Sequence, residues 1–378
     1  MNQIKIAVNT RMLQKDRLDG IGYFTFHTLQ KITAAHPEVQ FFFLFDRPHD
    51  PSFIFSQNIT PIIIPPATTN PLFTYLWYHV RLKSTLQKIK PDLFVSPEGI
   101  IPLGSNTKIL SVIHDINFIH YPKDLKFLTS TFYNLFFPRY AREATRIATV
   151  SNYSKADLVK QYNLNPSKID VVYNGVDPRF KPLNEDSKIV TRIKYTDGKE
   201  YFIFIGSVHP RKNIVRLLQA FDLFKKESGS DMKLVISGRM FWGKSKIQKT
   251  LQKLTYTKDV IFTGRIDDHE LQTLLGSAFC LVYPPYFEGF GVPLIEAMNS
   301  EVPIISSRVT SLPEIAGSAA LYFDPFNVEE IKNAMCTLYS DEKLRKQLIE
   351  HGKKQRIQFS WDSTAKKLWE SIEKTLSQ

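Results

Sequence analysis

Thirteen short apolar runs, separated by helical patterns or loops, restrict this chain to parallel sheets with crossover connections. The runs fall at residues 4–8, 41–45, 62–64, 93–95, 109–113, 147–150 and 169–173, and again at 201–205, 234–236, 260–262, 281–283, 304–305 and 321–323. Continuous apolar strands covered on both faces by helices are the mark of an α/β protein. The 378 residues suffice for two domains with full cores. The polar segment 181–199 reads as a linker, so residues 1–180 and 200–358 are expected to be doubly wound domains, followed by a C-terminal helical segment, 359–378. Near the end, SDEKLRKQLIEHG is predicted to be a helix with Ser340 as its N-cap and Gly352 as its stop.

The segment LVYPPYFEGFGVPLIEAM, residues 281–298, carries the most chemistry. Its strand stops at Pro284-Pro285, because proline cannot donate to a sheet ladder. A helix is expected from Pro293, since proline suits a first turn whose N–H groups have no partner within the helix. Between them Gly289 and Gly291, with Phe290 and Val292, form a loop whose backbone N–H groups and following helix dipole suit a phosphate. Glu288 and Glu296 frame this loop with seven residues between them. Carboxylates repel phosphate, so they make sense beside it as acceptors for flanking sugar hydroxyls. The plainer reading is a strand-to-helix turn with two solvated acids.

Ligands of open parallel sheets bind beyond the carboxyl ends of the strands, and most unusual residues here follow a strand. His114 and Asp115 follow the run 109–113, Ser151 follows 147–150, Gly206 to Asn213 follow 201–205, and Gly264, Arg265 and Ile266 follow 260–262. Arg211 and Lys212 precede a helix, where the dipole disfavours cations unless an anion is present; a solvated basic face is the competing reading. A lone histidine after a buried strand, as His114 is, is more often a hydrogen-bonded structural residue than a catalyst. Gly20 and Gly22 open a helical pattern but lack the third glycine of the dinucleotide fingerprint. Asp267-Asp268 reads as a helix cap, and Glu314 as a cap or a donor-binding residue. There is no HExxH spacing and no DxD at a strand end, so no metal is expected.

A formal charge of +12 favours an anionic partner, and both halves are basic, with 20 Lys and Arg against 13 acids in residues 1–180 and 29 against 24 after them. NPLFTYLWYHVRLKSTLQKIK and FLTSTFYNLFFPRYAREATR interleave aromatics with cations. They are either helices that bury rings while Lys and Arg extend outward, or segments that dock on an anionic inner-leaflet membrane surface. No RNA-binding signature accompanies them, and no nucleic acid partner is expected. Cys280 and Cys336 stand apart in apolar surroundings, the first residues lack a signal-peptide core, and no apolar run reaches membrane-spanning length. A cytoplasmic protein, peripheral at the membrane face if those segments dock, is the expectation.

The Glu288 to Glu296 segment resembles the motif of retaining glycosyltransferases of family 4. GIGYFTF, SVIHDI, TVSNYSKADL, VVYNGVD, IGSVHPRKNIVRLLQAF, FTGRIDDHEL and SLPEIAGSAALYFDP are similar to segments of that family, in its order. The resemblance implies the B-type glycosyltransferase fold: two facing Rossmann-like domains with the donor cleft between them and a final helix that crosses back to the first. It implies Lys212 on the donor diphosphate, His114 and Asp115 at the reaction centre, Glu288 on the sugar and Glu296 on the ribose. It also implies the backbone around Gly264, Arg265 and Ile266 at the base, and Gly20 and Gly22 near the diphosphate or the acceptor. Where many members carry an arginine after the glycine matching Gly206, this chain has Ser207, and Arg211 is the substitute. SVHPRKN with SGRMFWG resembles the mannosyltransferase-like subgroup. GDP-mannose is therefore the leading donor, with a UDP-hexose or dTDP-rhamnose as alternatives, used as a substrate with no cofactor, and the expected acceptor is a surface glycan or lipid-linked saccharide. A sugar-nucleotide epimerase and a noncatalytic nucleotide-sugar-binding scaffold are the alternatives.

Overall fold

A computed structural model describes residues 3–15, 17–239 and 244–378, which divide into two compact units. One contains Met1–Gly175 and Ser360–Gln378, the other Val176–Phe359.

The first unit is built on a seven-stranded parallel sheet: β1 (Lys5–Asn9), β2 (Gln40–Phe45), β3 (Ile59–Ile63), β4 (Leu93–Ser96), β5 (Lys108–Val112), β6 (Arg146–Thr149) and β7 (Ile169–Val171). The order is β3-β2-β1-β4-β5-β6-β7, so the winding reverses between β1 and β4. The second unit has six parallel strands: β8 (Tyr201–Ile205), β9 (Lys233–Ser237), β10 (Val260–Gly264), β11 (Cys280–Tyr283), β12 (Ile304–Ser307) and β13 (Ala320–Phe323). Their order, β10-β9-β8-β11-β12-β13, reverses between β8 and β11. Each apolar run of the sequence is thus a strand, shifted by one to three residues at its ends where the two differ. The centres of both sheets are sealed, with Ile6, Phe94, Phe202, Phe204 and Leu281 wholly buried.

The C-terminal helix Trp361–Leu376 belongs to the first unit. Ser360 caps it by accepting a bond from the Ser363 N–H, and Trp361, Ala365, Leu368 and Ile372 enter the core beside β1, β2 and β4. His27, on the helix Gly20–Ala35, stacks on Trp361 with ring centres 4.7 Å apart. The close passage depends on Gly175, where a Cβ would stand 2.3 Å from the Trp361 backbone nitrogen.

Three sequence expectations are corrected. The segment 181–199 is not a linker, for it contains the helix Glu185–Thr196 and lies within the second unit, whose boundary falls at Val176. Asn184 caps that helix, Glu185 and Asp186 complement its dipole, and Lys194 and Tyr195 bind Glu270. Its periodicity misleads because Thr191 and Thr196 are its buried residues while Ile189, Val190 and Ile193 are exposed. Further on, Ser340 ends one helix and Asp341 caps the next, Glu342–Gln355, which continues through Gly352 because that glycine packs against Met298. Finally, the helix after the glycine loop begins at Val292 rather than Pro293.

Gly175→Ala should destabilise the first unit by about 1–3 kcal/mol through overpacking, seen as a lower melting temperature. Gly20→Ala, where nothing lies within 4 Å of the added carbon, should melt close to the wild type.

Candidate active site

The crevice at a reversal of strand order is where open α/β sheets bind ligands. In the second unit that place lies beyond β8 and β11, which pair through Phe202 with Cys280 and Ile203 with Leu281. The chain after β8 runs through Gly206 and Ser207 to a single 3-10 turn, Pro210–Lys212, and the chain after β11 runs through the glycine loop. The Tyr286 N–H donates to the Arg211 carbonyl at 3.0 Å, and Asn213 donates to the Pro284 carbonyl at 3.0 Å and to that of Pro325 at 2.7 Å. Asn213 takes a positive φ of 63°, which turns the chain from the 3-10 turn into the helix Ile214–Ser228.

These turns bring Arg211, Lys212 and Glu288 together. The Lys212 ammonium stands 2.5 Å from Glu288 Oε1 and 2.7 Å from the Tyr283 hydroxyl, and Arg211 Nη1 binds the same carboxylate oxygen and, at 3.1 Å, the Phe287 carbonyl. The side chains of Glu288 and Lys212 are 9% exposed, that of Arg211 22%. Burial pushes the Glu288 carboxyl up, but Arg211 and Lys212 outweigh it and hold the group below its usual range. Glu288 is therefore ionised, and the trio carries one net positive charge at the end of the sheet.

The glycine loop is shaped by its neighbours. Glu288 donates its N–H to Thr310 Oγ1 at 3.2 Å, and Ser311 Oγ lies 2.9 Å from the Glu288 carbonyl and 3.1 Å from that of Phe290. Gly291, at φ 101°, is the residue before the helix Val292–Asn299; a side chain there would meet Leu312 at 2.7 Å. Gly289 and Phe290 are buried between these turns. Glu296 is half-buried one turn into the helix. Burial first, then the charges of Asp268 and Asp177, push it up to about 8, so it carries a proton at neutral pH.

Ser207 is exposed beside Gly206. Gly264 ends the edge strand β10 at φ 71°, followed by exposed Arg265 and half-buried Ile266. Glu314 lies in the short helix Leu312–Ala316. Sequence reading passed over Gly238, at φ 148°, where a Cβ would stand 2.0 Å from the Gly206 carbonyl oxygen. Its N–H donates to the Gly264 carbonyl. The signal was present: β8, β9 and β10 each end at or just before a glycine. Tyr283, Thr310 and Ser311 gave none, being ordinary residues until the fold places them. Of the SGRMFWG segment, residues 240–243 lie outside the described residues.

The remaining candidates lie in the first unit. His114 follows β5, with its ring edge-on to Phe24 and Nε2 2.9 Å from the Pro97 carbonyl. A carbonyl only accepts, so Nε2 carries the proton. Burial holds the imidazole below its ordinary value despite that bond and the nearby carboxylates of Asp115, Asp19 and Glu98. Asp115 accepts the Asn117 N–H at 3.1 Å, so its observed bond is a turn rather than a brace on His114. Gly20 and Gly22 form the first turn of their helix, with Asp19 accepting the Gly22 N–H. Gly22 is confined by Leu18 and the Met12 carbonyl.

Residues 18–180 match the model of glycosyltransferase family 4, and residues 187–355 match that of glycosyl transferases group 1. Together the two matches span most of the chain, which carries a glycosyltransferase family 4 domain followed by a glycosyl transferases group 1 domain. This glycosyltransferase is 29% identical over 296 residues to O-antigen chain mannosyltransferase B of Escherichia coli, covering 76% of each chain. It is 29% identical over 266 residues to O-antigen chain mannosyltransferase RfbU of Salmonella typhimurium, covering 70% of each. The structure of Anabaena HepE in complex with UDP-glucose superposes with a TM-score of 0.76 at 14% identity, covering 98% of this chain and 100% of that one. The two parallel-sheet Rossmann-like domains of this glycosyltransferase are those of the B-type fold.

Glu296 makes stability depend on pH. Its folded value lies above its unfolded one, so between about 4.5 and about 8 the folded state holds a proton that the unfolded state has lost. Stability from this group falls as pH rises through that window. Glu296→Gln should gain melting temperature on the wild type by several degrees more at pH 8.5 than at pH 5. A constant difference across the range would show that Glu296 titrates normally.

Proposed function

We propose that this glycosyltransferase moves mannose from GDP-mannose to a hydroxyl of a growing surface glycan or lipid-linked saccharide, with retention at the anomeric carbon. The observation that carries the reading is the trio of Arg211, Lys212 and Glu288 at the reversal between β8 and β11. Two cations and one ionised carboxylate suit a ligand that joins a diphosphate to a hydroxylated ring. The mannosyltransferase names of the two bacterial relatives support the sugar and the acceptor class.

In this reading the bond between the anomeric carbon and the diphosphate oxygen breaks, and negative charge grows on the departing oxygen. Lys212, Arg211 and the N–H groups of the glycine loop are fixed in place, so they stabilise that charge without reorganising. The acceptor oxygen bonds to the anomeric carbon, and its proton passes to a leaving-group oxygen on the same face of the sugar, which retains configuration. Glu288, already ionised, accepts hydrogen bonds from sugar hydroxyls. Glu296, protonated in the free protein, can both donate to and accept from the ribose. Gly264, Arg265 and Ile266 serve the base, and His114 with Asp115 serves the acceptor side.

The same reading places the first unit at an anionic membrane surface. Leu72, Phe127 and Leu128 are 71%, 81% and 71% exposed, and Arg81, Lys123, Lys126 and Arg139, on or just before the same two segments, are exposed as well. The two segments form one surface, because Tyr75 and His79 pack on Phe136. Not all of their aromatics belong to it: Trp77 and Tyr78 are wholly buried. Among the described residues no helix is long and apolar enough to cross a membrane.

Lys212→Ala should lower turnover by roughly 10² or more, the scale of one lost electrostatic stabiliser, in a protein that still folds by circular dichroism; near-normal turnover would remove the role. NMR of the first-formed product should show the donor's anomeric configuration, and inversion would refute the same-face step. Phe127→Ser with Leu128→Ser should abolish sedimentation with phosphatidylglycerol vesicles while leaving GDP binding unchanged. Equal sedimentation of variant and wild type would place membrane contact elsewhere or nowhere.

A further inference from the structure

The first sheet also reverses its winding, between β1 and β4, and a buried ionic cluster occupies that point. Arg11 follows β1 and Glu98 follows β4. The guanidinium binds both carboxylate oxygens of Glu98 through Nε and Nη2. The Tyr78 hydroxyl donates to the same carboxylate, and Asn9 Nδ2 lies 2.6 Å from Glu98 Oε1 and 2.7 Å from the Tyr78 oxygen. Arg11 also donates to Thr68 Oγ1 at 2.8 Å. The Glu98 side chain is 5% exposed and that of Arg11 15%. An ion pair this deep is a poor source of stability, because desolvation offsets most of the attraction and apolar residues often do as well. What four donors on one carboxylate supply is a fixed position.

The position fixed is that of residues 97–100. Ser96 Oγ donates to the Ile100 carbonyl at 2.6 Å, and Ser111 Oγ to the Gly99 carbonyl at 3.2 Å. Gly99, at φ 85°, presses against Phe137 and Ile113, where a Cβ would lie 3.1 Å and 3.4 Å from side-chain carbons. Within this clamped loop the Pro97 carbonyl, one residue before Glu98, accepts the His114 Nε2 proton at 2.9 Å. Which imidazole nitrogen carries the proton is set by the hydrogen bonds its two nitrogens make, and one that faces a carbonyl must donate. Fixing Pro97 therefore fixes the tautomer, and leaves Nδ1 as the lone-pair nitrogen.

We propose that Arg11 and Glu98, with Tyr78 and Asn9, form a positioning device for His114, holding the loop whose Pro97 carbonyl takes the imidazole proton. The inference rests on the reading of His114 as an acceptor-side residue and extends it to the largely buried Arg11 and Glu98. Arg11 and Glu98 act by orienting the ring, so their loss should affect turnover more than donor binding.

The test uses full-length protein labelled with 15N-histidine, with the His114 signals assigned by their loss in His114→Gln. Two-bond proton–nitrogen spectra report which ring nitrogen is protonated. The wild type should show a single Nε2-protonated pattern for His114. In Glu98→Gln that pattern should give way to exchange between tautomers, with kcat lowered roughly 10- to 100-fold, the scale of a misoriented group, and with the donor KM within about twofold. Tyr78→Phe removes one donor while leaving the ion pair, and should show a smaller change in the same direction if Glu98→Gln fails to fold. A mixed tautomer with unchanged turnover would sustain the positioning and remove His114 from the reaction. An unchanged single tautomer in a folded Glu98→Gln protein would overturn the proposal.

Discussion

One carboxylate shared by two cations sets the character of the second unit. Glu288, Arg211 and Lys212 come from loops more than seventy residues apart in sequence, and each would be costly to bury alone. Together they form a partly compensated site with one positive charge in excess. The surrounding bonds, from Asn213 to two carbonyls, from the Glu288 N–H to Thr310 and from Ser311 to the Glu288 carbonyl, keep the three groups in register. The charge excess is what an anionic leaving group would meet, and the ionised Glu288 is what the adjoining hydroxyls would meet.

The two units place a charged group at the same point of their topology in different surroundings. At the β8–β11 reversal the ionic group lies beside a glycine loop and a helix start, an arrangement open to a phosphate-bearing ligand. At the β1–β4 reversal the corresponding group, Arg11 with Glu98, is closed by Tyr78, Asn9 and Thr68, and holds a backbone carbonyl against His114. Tyr78 belongs to a stretch of π-helix, Trp77–Leu82, in which the consecutive Trp77 and Tyr78 are both wholly buried. Both reversals of strand order thus carry an ionic group, one beside a glycine loop and one closed in by its neighbours.

Much of this was legible in the residues. The strands announced themselves because parallel sheets covered on both faces need unbroken apolar runs, and QFFFLF or YFIFI admits little else. Glu288, Lys212 and the glycine loop stood out because glycine, proline and paired charges at a strand end have few structural uses. What stayed hidden depends on contacts between distant segments. Nothing local marks Ser311 as the prop of the Glu288 loop, or Glu98 as the partner of Arg11. The helix Glu185–Thr196 escaped notice because its apolar residues face outward and its packing rests on threonines and ion pairs. Asp115 was legible as a strand-end acid, but its actual bond to the Asn117 N–H could be seen only in three dimensions.

The most direct measurement is calorimetric titration of GDP, GMP and guanosine into the wild type and into an Arg211→Ala, Lys212→Ala double variant. If the cations hold the diphosphate, the wild type should bind GDP at least tenfold more tightly than GMP, about 1.4 kcal/mol, and the double variant should bind the two alike with guanosine affinity unchanged. Equal affinity of the wild type for GDP and GMP, or a preference that survives in the double variant, would contradict a diphosphate site at Arg211 and Lys212.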